Sequence, residues 1–169
     1  MMRFLEIVMA FPAIILAITL VSLVGPSLLN LVLIIGIIQL PHFARVSRGS
    51  ILSLKEQEFV TAARAVGQRN WRILLFHIMP NSLTPIMILM SLFISTAIII
   101  ESALSFLGLG LRPPQASWGT ILKDGQAYML TAPWVALFPG LVISITILGY
   151  NLFGDGLRDA LDPRSGGRY

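Results

Sequence analysis

Residues 7–44 read IVMAFPAIILAITLVSLVGPSLLNLVLIIGIIQLPHFA, bounded by Glu6 and Arg45, with no charged side chain between them. That run decides the solvent in which the chain folds. A hydrocarbon core of about 30 Å needs roughly 20 mainly apolar helical residues. The run has room for two such helices, separated by the turn formers Gly25, Pro26 and Ser27. The same segregation recurs downstream: no Asp, Glu, Lys or Arg lies between Arg72 and Glu101, or between Asp124 and Asp155. Over the whole chain 56% of residues are hydrophobic and 12% charged, where a soluble domain carries about 25% charged residues. The mean hydropathy is +0.83.

These features predict an all-α, polytopic transmembrane helical bundle forming one domain over residues 1–169. Four spans are expected, at about 7–24, 28–48, 85–107 and 134–153. Pro12 falls inside the first, Pro41 kinks the second, and Pro133 precedes the fourth. Asn81 or Ser82 is expected to cap the third, with Pro85 in its first turn. From His42 to Asn81, around a loop of about 49–81, Arg45, Arg48, Lys55, Arg64, Arg69 and Arg72 face only Glu56 and Glu58. The loop of about 108–133 carries only Arg112, Lys123 and Asp124. Basic loops stay on the cytoplasmic side, so the first loop is expected inside and the second outside. Met1 to Arg3 and the tail with Arg158, Arg164 and Arg168 fall inside on the same count, while Trp118, Tyr128 and Trp134 fall near the outer boundary. The net charge of +4 sits beside the spans, which reads as interfacial anchoring and not as nucleic-acid binding. There is no Cys, hence no disulfide and no thiolate metal site. The apolar stretch after Arg3 exceeds the roughly 7–15 residues of a leader core and is not expected to be a cleavable signal.

The loop between the second and third spans carries the most information. Ser53 and Glu56 have the spacing of a capping box, predicting a short helix over about 54–66. Gly67 suits a left-handed terminating position. Asn70 is then expected to cap a second short helix over 71–79, stopping before Pro80. Ala62, Ala63 and Ala65 leave the first helix small-faced, and Phe59 and Val66 add an apolar patch. So short a helix must pack on something; periodicity alone leaves open whether that is its own bundle or another protein.

Thr61-Ala62-Ala63-Arg64-Ala65-Val66-Gly67, nine residues, then His77-Ile78-Met79-Pro80 resembles the coupling motif of bacterial ATP-binding-cassette import permeases. That motif reads Glu-Ala-Ala, three residues, Gly, nine residues, Ile, any residue, Leu, Pro. Both alanines, the glycine and the proline match in register; Thr61, His77 and Met79 depart, and a histidine followed shortly by Pro-Asn is typical of the peptide/nickel branch. The segment from Glu101 to Gly110, Pro113-Pro114, Ser117-Trp118-Gly119, Ala132-Pro133-Trp134, Phe138-Pro139-Gly140 and the stretch from Asn151 to Arg164 resemble the C-type permease subunit of dipeptide, oligopeptide and nickel importers. The resemblance covers essentially the whole chain. Family members usually carry about two further spans ahead of it, so the chain is expected to correspond to the C-terminal four-span part of a six-span permease. A fragment, a mis-called start and a genuinely short form stay open.

The resemblance implies a permease subunit in a plasma membrane that carries peptides, with nickel or another small solute as the alternative. It implies a B-type permease partner, two ATP-binding subunits and an extracytoplasmic solute-binding protein, with ATP hydrolysed by the separate subunits. It assigns ATPase coupling to Phe59, Thr61, Ala62, Ala63, Val66, Gly67 and Pro80. No phosphate-binding glycine pattern occurs in this chain, and no catalytic constellation, cofactor or metal site is expected. His42 and His77 are too far apart in sequence and lack carboxylates at ligand spacing; Met79, Met87 and Met90 read as core or lipid-facing. Arg45 and Arg48 read as inner-interface anchors. Glu101 is the one acid well inside a span; it is either a translocation-path contact or a structural carboxylate bonded to a neighbouring helix. A secondary transporter or channel would call for paired charges or broken helices near the midplane, and a membrane-embedded protease for Ser/His or Asp/Asp pairs within spans; neither pattern is present.

Overall fold

A computed structural model of the protein describes residues 2–161. Met1, Arg164 and Arg168, and with them the last part of the Asn151–Arg164 string, lie outside the described residues. Within them the chain is all helical. The elements are α1 (Met2–Met9), α2 (Ala13–Val24), α3 (Leu28–Lys55), α4 (Glu58–Ala65), α5 (Asn70–Ile73), a π-turn (Leu74–Ile78), α6 (Met79–Phe106), α7 (Trp118–Gly125), a 3₁₀ turn (Gln126–Tyr128) and α8 (Trp134–Leu161).

Three helices are long and apolar enough to cross a bilayer: Leu28–Lys55, Asn70–Phe106 and Trp134–Leu161. The first expected span is divided. Pro12 lacks an N–H and disfavours helix at Phe11, so α1 ends at Met9 and α2 starts at Ala13. The twelve residues of α2 reach about 18 Å at 1.5 Å per residue. The Gly25 turn forms as expected, with φ +84°. Its outgoing side is closed by Asn30, whose Nδ2 donates to the carbonyls of Val24 and Gly25, and whose N–H donates to Ser27 Oγ.

The third span differs most from expectation. No helix stops before Pro80, and neither Asn81 nor Ser82 caps a new one. Residues 70–106 form one continuous helix through Pro80 and Pro85. The π-turn lies immediately before Pro80. A π-turn's extra residue re-aims the carbonyls of the preceding turn, the ones a proline ring would otherwise strike. Asn81 Nδ2 donates back to the His77 carbonyl at 2.6 Å and Ser82 Oγ to the Met79 carbonyl at 2.8 Å, as polar side chains do inside a helix.

The chain divides into two compact units. One comprises the residues up to Pro41 together with Leu92–Leu152; the other comprises His42–Ser91 and the chain from Phe153 onward. In the first, Ala17 and Val21 of α2, Leu31, Ile34 and Ile38 of α3, and Ile100 and Leu104 of α6 form the core. Elsewhere helices meet through small residues. Ser95 Oγ donates to the Ile147 carbonyl across α6 and α8 at 3.4 Å, and in the second unit Gly154 of α8 sits directly against Ser91 of α6. Lipid supplies no hydrophobic drive between helices, so close backbone approach and such bonds hold the seam.

The loop after α6 is more structured than its sequence indicated. Gly108, at φ +83°, ends α6 with its N–H on the Ser105 carbonyl (3.0 Å) and Leu109 N–H on the Leu104 carbonyl (2.8 Å). Ser117 and Thr120 then form a reciprocal capping box that starts α7.

Candidate functional site

The first candidate is the helical hairpin of the second unit. Its expected start needs correction: Ser53 lies inside α3, which continues to Lys55, and α4 begins at Glu58 with Gln57 as N-cap and no side-chain cap. Similarly α5 begins at Asn70, with Arg69 as its N-cap. The hairpin turn forms as the sequence indicated. Gly67 has φ +77°. Its N–H donates to the Arg64 carbonyl at 2.9 Å, and Gln68 N–H donates to the Ala63 carbonyl at 3.1 Å. This 6→1, 5→2 pair is a Schellman motif, which requires a left-handed residue at the glycine's position.

One face of α4 is committed inward. Val60 and Ala63, at 0% and 7% exposure, pack with Ile73 and Ile78, flanked by Ile51 and Leu54. Helical spacing turns Phe59, Ala62 and Val66 to another face. All three are exposed, Val66 at 77%. Thr61 is also exposed, and so is Pro80 in the first turn of α6. The residues named from the sequence thus divide: Phe59, Ala62 and Val66 form an outward ridge, Ala63 builds the hairpin's own core, and Gly67 closes its turn. A side bond reinforces the arrangement, His77 Nε2 to Gln68 Oε1 at 3.0 Å, which joins the π-turn to the residue following Gly67.

Glu101 is the second candidate. It is half-buried on α6, and Ser105 Oγ, one turn on, donates to its Oε1 at 2.6 Å. Around Ser105, itself fully buried, the backbone approaches closely. A Cβ on Gly119 would lie 2.5 Å from the Ser102 carbonyl oxygen and 2.7 Å from Ser105 Cβ, and Gly110 abuts Ser105 directly. Glu101 therefore heads a seam where α7 and the preceding loop press onto α6. Sequence reading named Glu101 but missed Ser102, Ser105, Gly110 and Gly119 as its surroundings. The signal was there, in the three-residue spacing from Ser102 to Ser105 on one helix face.

His42 is exposed on α3 and His77 is occupied by Gln68. Among the described residues no group of three His, Cys, Asp or Glu is placed to hold a metal ion.

Long apolar helices with a polar hairpin inserted between two of them make this a multi-span integral membrane protein. Residues 1–166 match the family described as "Binding-protein-dependent transport system inner membrane component", and the chain belongs to that family of transport permeases. It is 48% identical over 162 residues to the dipeptide transport system permease protein DppC of Alkalihalophilus pseudofirmus, covering 96% of this chain and 53% of that protein. It is 45% identical over 163 residues to the glutathione transport system permease protein GsiD of Escherichia coli O1:K1, covering 96% and 54%. The chain spans about half the length of these curated relatives.

Proposed function

We propose that the chain is the membrane-spanning permease component of an ATP-binding-cassette importer, carrying di- or oligopeptides across the plasma membrane of a bacterium or archaeon. The observation that carries this reading is the hairpin: a rigidly closed turn at Gly67 and an exposed Phe59–Ala62–Val66 ridge, placed between two apolar helices of spanning length. The peptide class is supported by the relatives, whose names specify dipeptide and glutathione transport.

In this reading the segment His42–Asn81 faces the cytoplasm, on its excess of Arg and Lys, and residues 108–133 face outward. The outward ridge of α4 sits in a groove on one of two ATP-binding subunits; small Ala62 permits close backbone approach while Phe59 and Val66 supply apolar area. Nucleotide-driven closure of those subunits moves α4. The Schellman turn and the Gln68–His77 bond pass the displacement to the continuous helix 70–106. Coupling of this kind requires different contacts in two states, not chemistry within the chain. A B-type permease subunit completes the path, and a solute-binding protein delivers the peptide. Glu101 is read as a seam carboxylate, because its hydrogen-bond partner is Ser105 within its own helix.

The test is Ala62→Glu in the assembled transporter, with ATPase co-purification and dipeptide uptake measured in the same cells. A carboxylate forced into an apolar groove is expected to lower both by at least about tenfold, since burying an unpaired charge costs several kcal/mol. Wild-type recovery and uptake would place the ATPase contact elsewhere.

A further inference from the structure

The continuous helix 70–106 departs from α geometry in one turn, Leu74–Ile78, where the Met79 N–H donates to the Leu74 carbonyl five residues back. That turn decides which side chains share a face. Ile73 and Ile78 are both buried, and both pack with Val60 and Ala63 of α4. Residues five apart in an α-helix point about 140° away from one another at 3.6 residues per turn. A π-turn, closed from i to i+5, brings them nearly into line. One surplus residue is therefore what lets a single helix seat Ile73 and Ile78 together on the hairpin. Leu74, Leu75 and Phe76, which fill the wide turn, are exposed, so the surplus adds no side chain to the hairpin's core.

Two constraints hold the turn in its wide form. Pro80 has no N–H, and in a regular α-helix its ring would strike the Phe76 carbonyl. His77 is tied at both ends, its Nε2 to Gln68 Oε1 at 3.0 Å and its carbonyl to Asn81 Nδ2 at 2.6 Å. Against them stands the ordinary preference of a helix for i→i+4 bonds, which is why π-turns are rare and confined to single turns. Two discrete geometries that differ by one residue make a bistable element, the kind that absorbs a domain movement. We propose that Leu74–Ile78 is a hinge with a π form and an α form, and that passage between them converts displacement of α4 into rotation of the helix that follows. The change from one form to the other turns residues 70–73 relative to 79–106 by about one residue's rotation, roughly 100°. The force that displaces α4 rests on the importer reading, whereas the two forms of the turn do not.

The test uses the complete transporter in lipid. Deleting Phe76 in a Pro80→Ala background removes both the surplus residue and the proline ring. The turn can then close as α, with Ile73 and Ile78, now four apart, still on one face. Pro80→Ala alone is the matched control. Amide hydrogen exchange over 74–79 reports local opening, and is expected to be at least about tenfold slower in the deletion variant than in the control, with exchange in α4 unchanged. Uptake per ATP hydrolysed should fall about tenfold relative to the control while hydrolysis persists, as loss of a hinge implies; a segment that only stabilised the fold would lower both together. Equal exchange in the two variants, or control-level uptake per ATP after the deletion, would overturn the proposal. If the deletion variant fails to assemble, spin labels decide the matter in a chain that otherwise has no Cys. Labels on Arg64→Cys and Met87→Cys should give different distances in the nucleotide-free and ATP-bound transporter, and one unchanged distance would overturn the hinge. Absence of ATP-driven uptake in wild type would sink the importer reading instead, and the exchange comparison would still decide the turn.

Discussion

Substituting Gly67 isolates one physical quantity. An ideal Cβ built on Gly67 meets no heavy atom of this chain within 4 Å, so the added carbon itself makes no clash here and the cost within the chain comes from the backbone. At φ +77° an L-residue with a Cβ pays roughly 1–2 kcal/mol, while Asn tolerates the region best. A β-branched residue pays more, up to about 3 kcal/mol. Relaxing φ to negative values would remove both Schellman bonds and displace Gln68 from His77. A penalty of 1–2 kcal/mol shifts a two-state balance by about five- to thirtyfold. The assay is peptide-stimulated ATP hydrolysis and uptake in proteoliposomes of the assembled transporter, across Gly67, Gly67→Asn, Gly67→Ala and Gly67→Val. Coupling is expected to fall in that order, with complex yield unchanged because the turn lies outside the three spanning helices' apolar stretches. Wild-type coupling in Gly67→Val, or a reversed order of Asn and Val, would refute the left-handed turn as a requirement for coupling.

Single cysteines at Gln68 and Ala116 should label from opposite sides of intact cells, Ala116 from outside; labelling of both from one side would overturn the topology. Gly119→Val should lower the thermal stability of the solubilised protein, since its Cβ would lie 2.5 Å from the Ser102 carbonyl oxygen and overpacking costs about 1–3 kcal/mol; an unchanged melting temperature would deny the close α6–α7 contact. Glu101→Gln should retain most uptake because an amide oxygen still accepts from Ser105, whereas loss of transport with normal assembly would restore a role for the negative charge in the path.

The sequence specified the helical class, and its reasons are visible in the structure: charge-free runs became long helices, and Gly25 and Gly67 took the positive φ that their contexts required. It was less informative where two local rules competed. Pro12 broke the span it was expected to lie within, whereas Pro80, before which a helix was expected to stop, broke nothing, because a π-turn before it re-aimed the backbone. A capping-box spacing at Ser53 and Glu56 was overridden when α3 simply continued to Lys55. Ala62 and Ala63 are alike in sequence, and only the packing of Val60, Ile73 and Ile78 turns one inward and leaves the other out. Of the seam around Glu101, the Ser102–Ser105 face was legible in the sequence, but which glycine meets which serine depends on a loop path that periodicity does not encode.

The glycine–serine seams carry a consequence for how much this chain can change. At Gly110, Gly119 and Gly154 a single added carbon would meet Ser105, Ser102 or Ser91 inside ordinary contact distance, while large apolar side chains such as Leu23, Leu29, Ile145 and Leu152 stand mostly exposed. Mutational tolerance is therefore inverted relative to a water-soluble globule: the greasy bulk is interchangeable and the smallest residues are not. Exhaustive substitution should show a chain nearly indifferent to exchange among Leu, Ile and Val along its outer faces, with its intolerant positions marked by the residues that carry the fewest atoms.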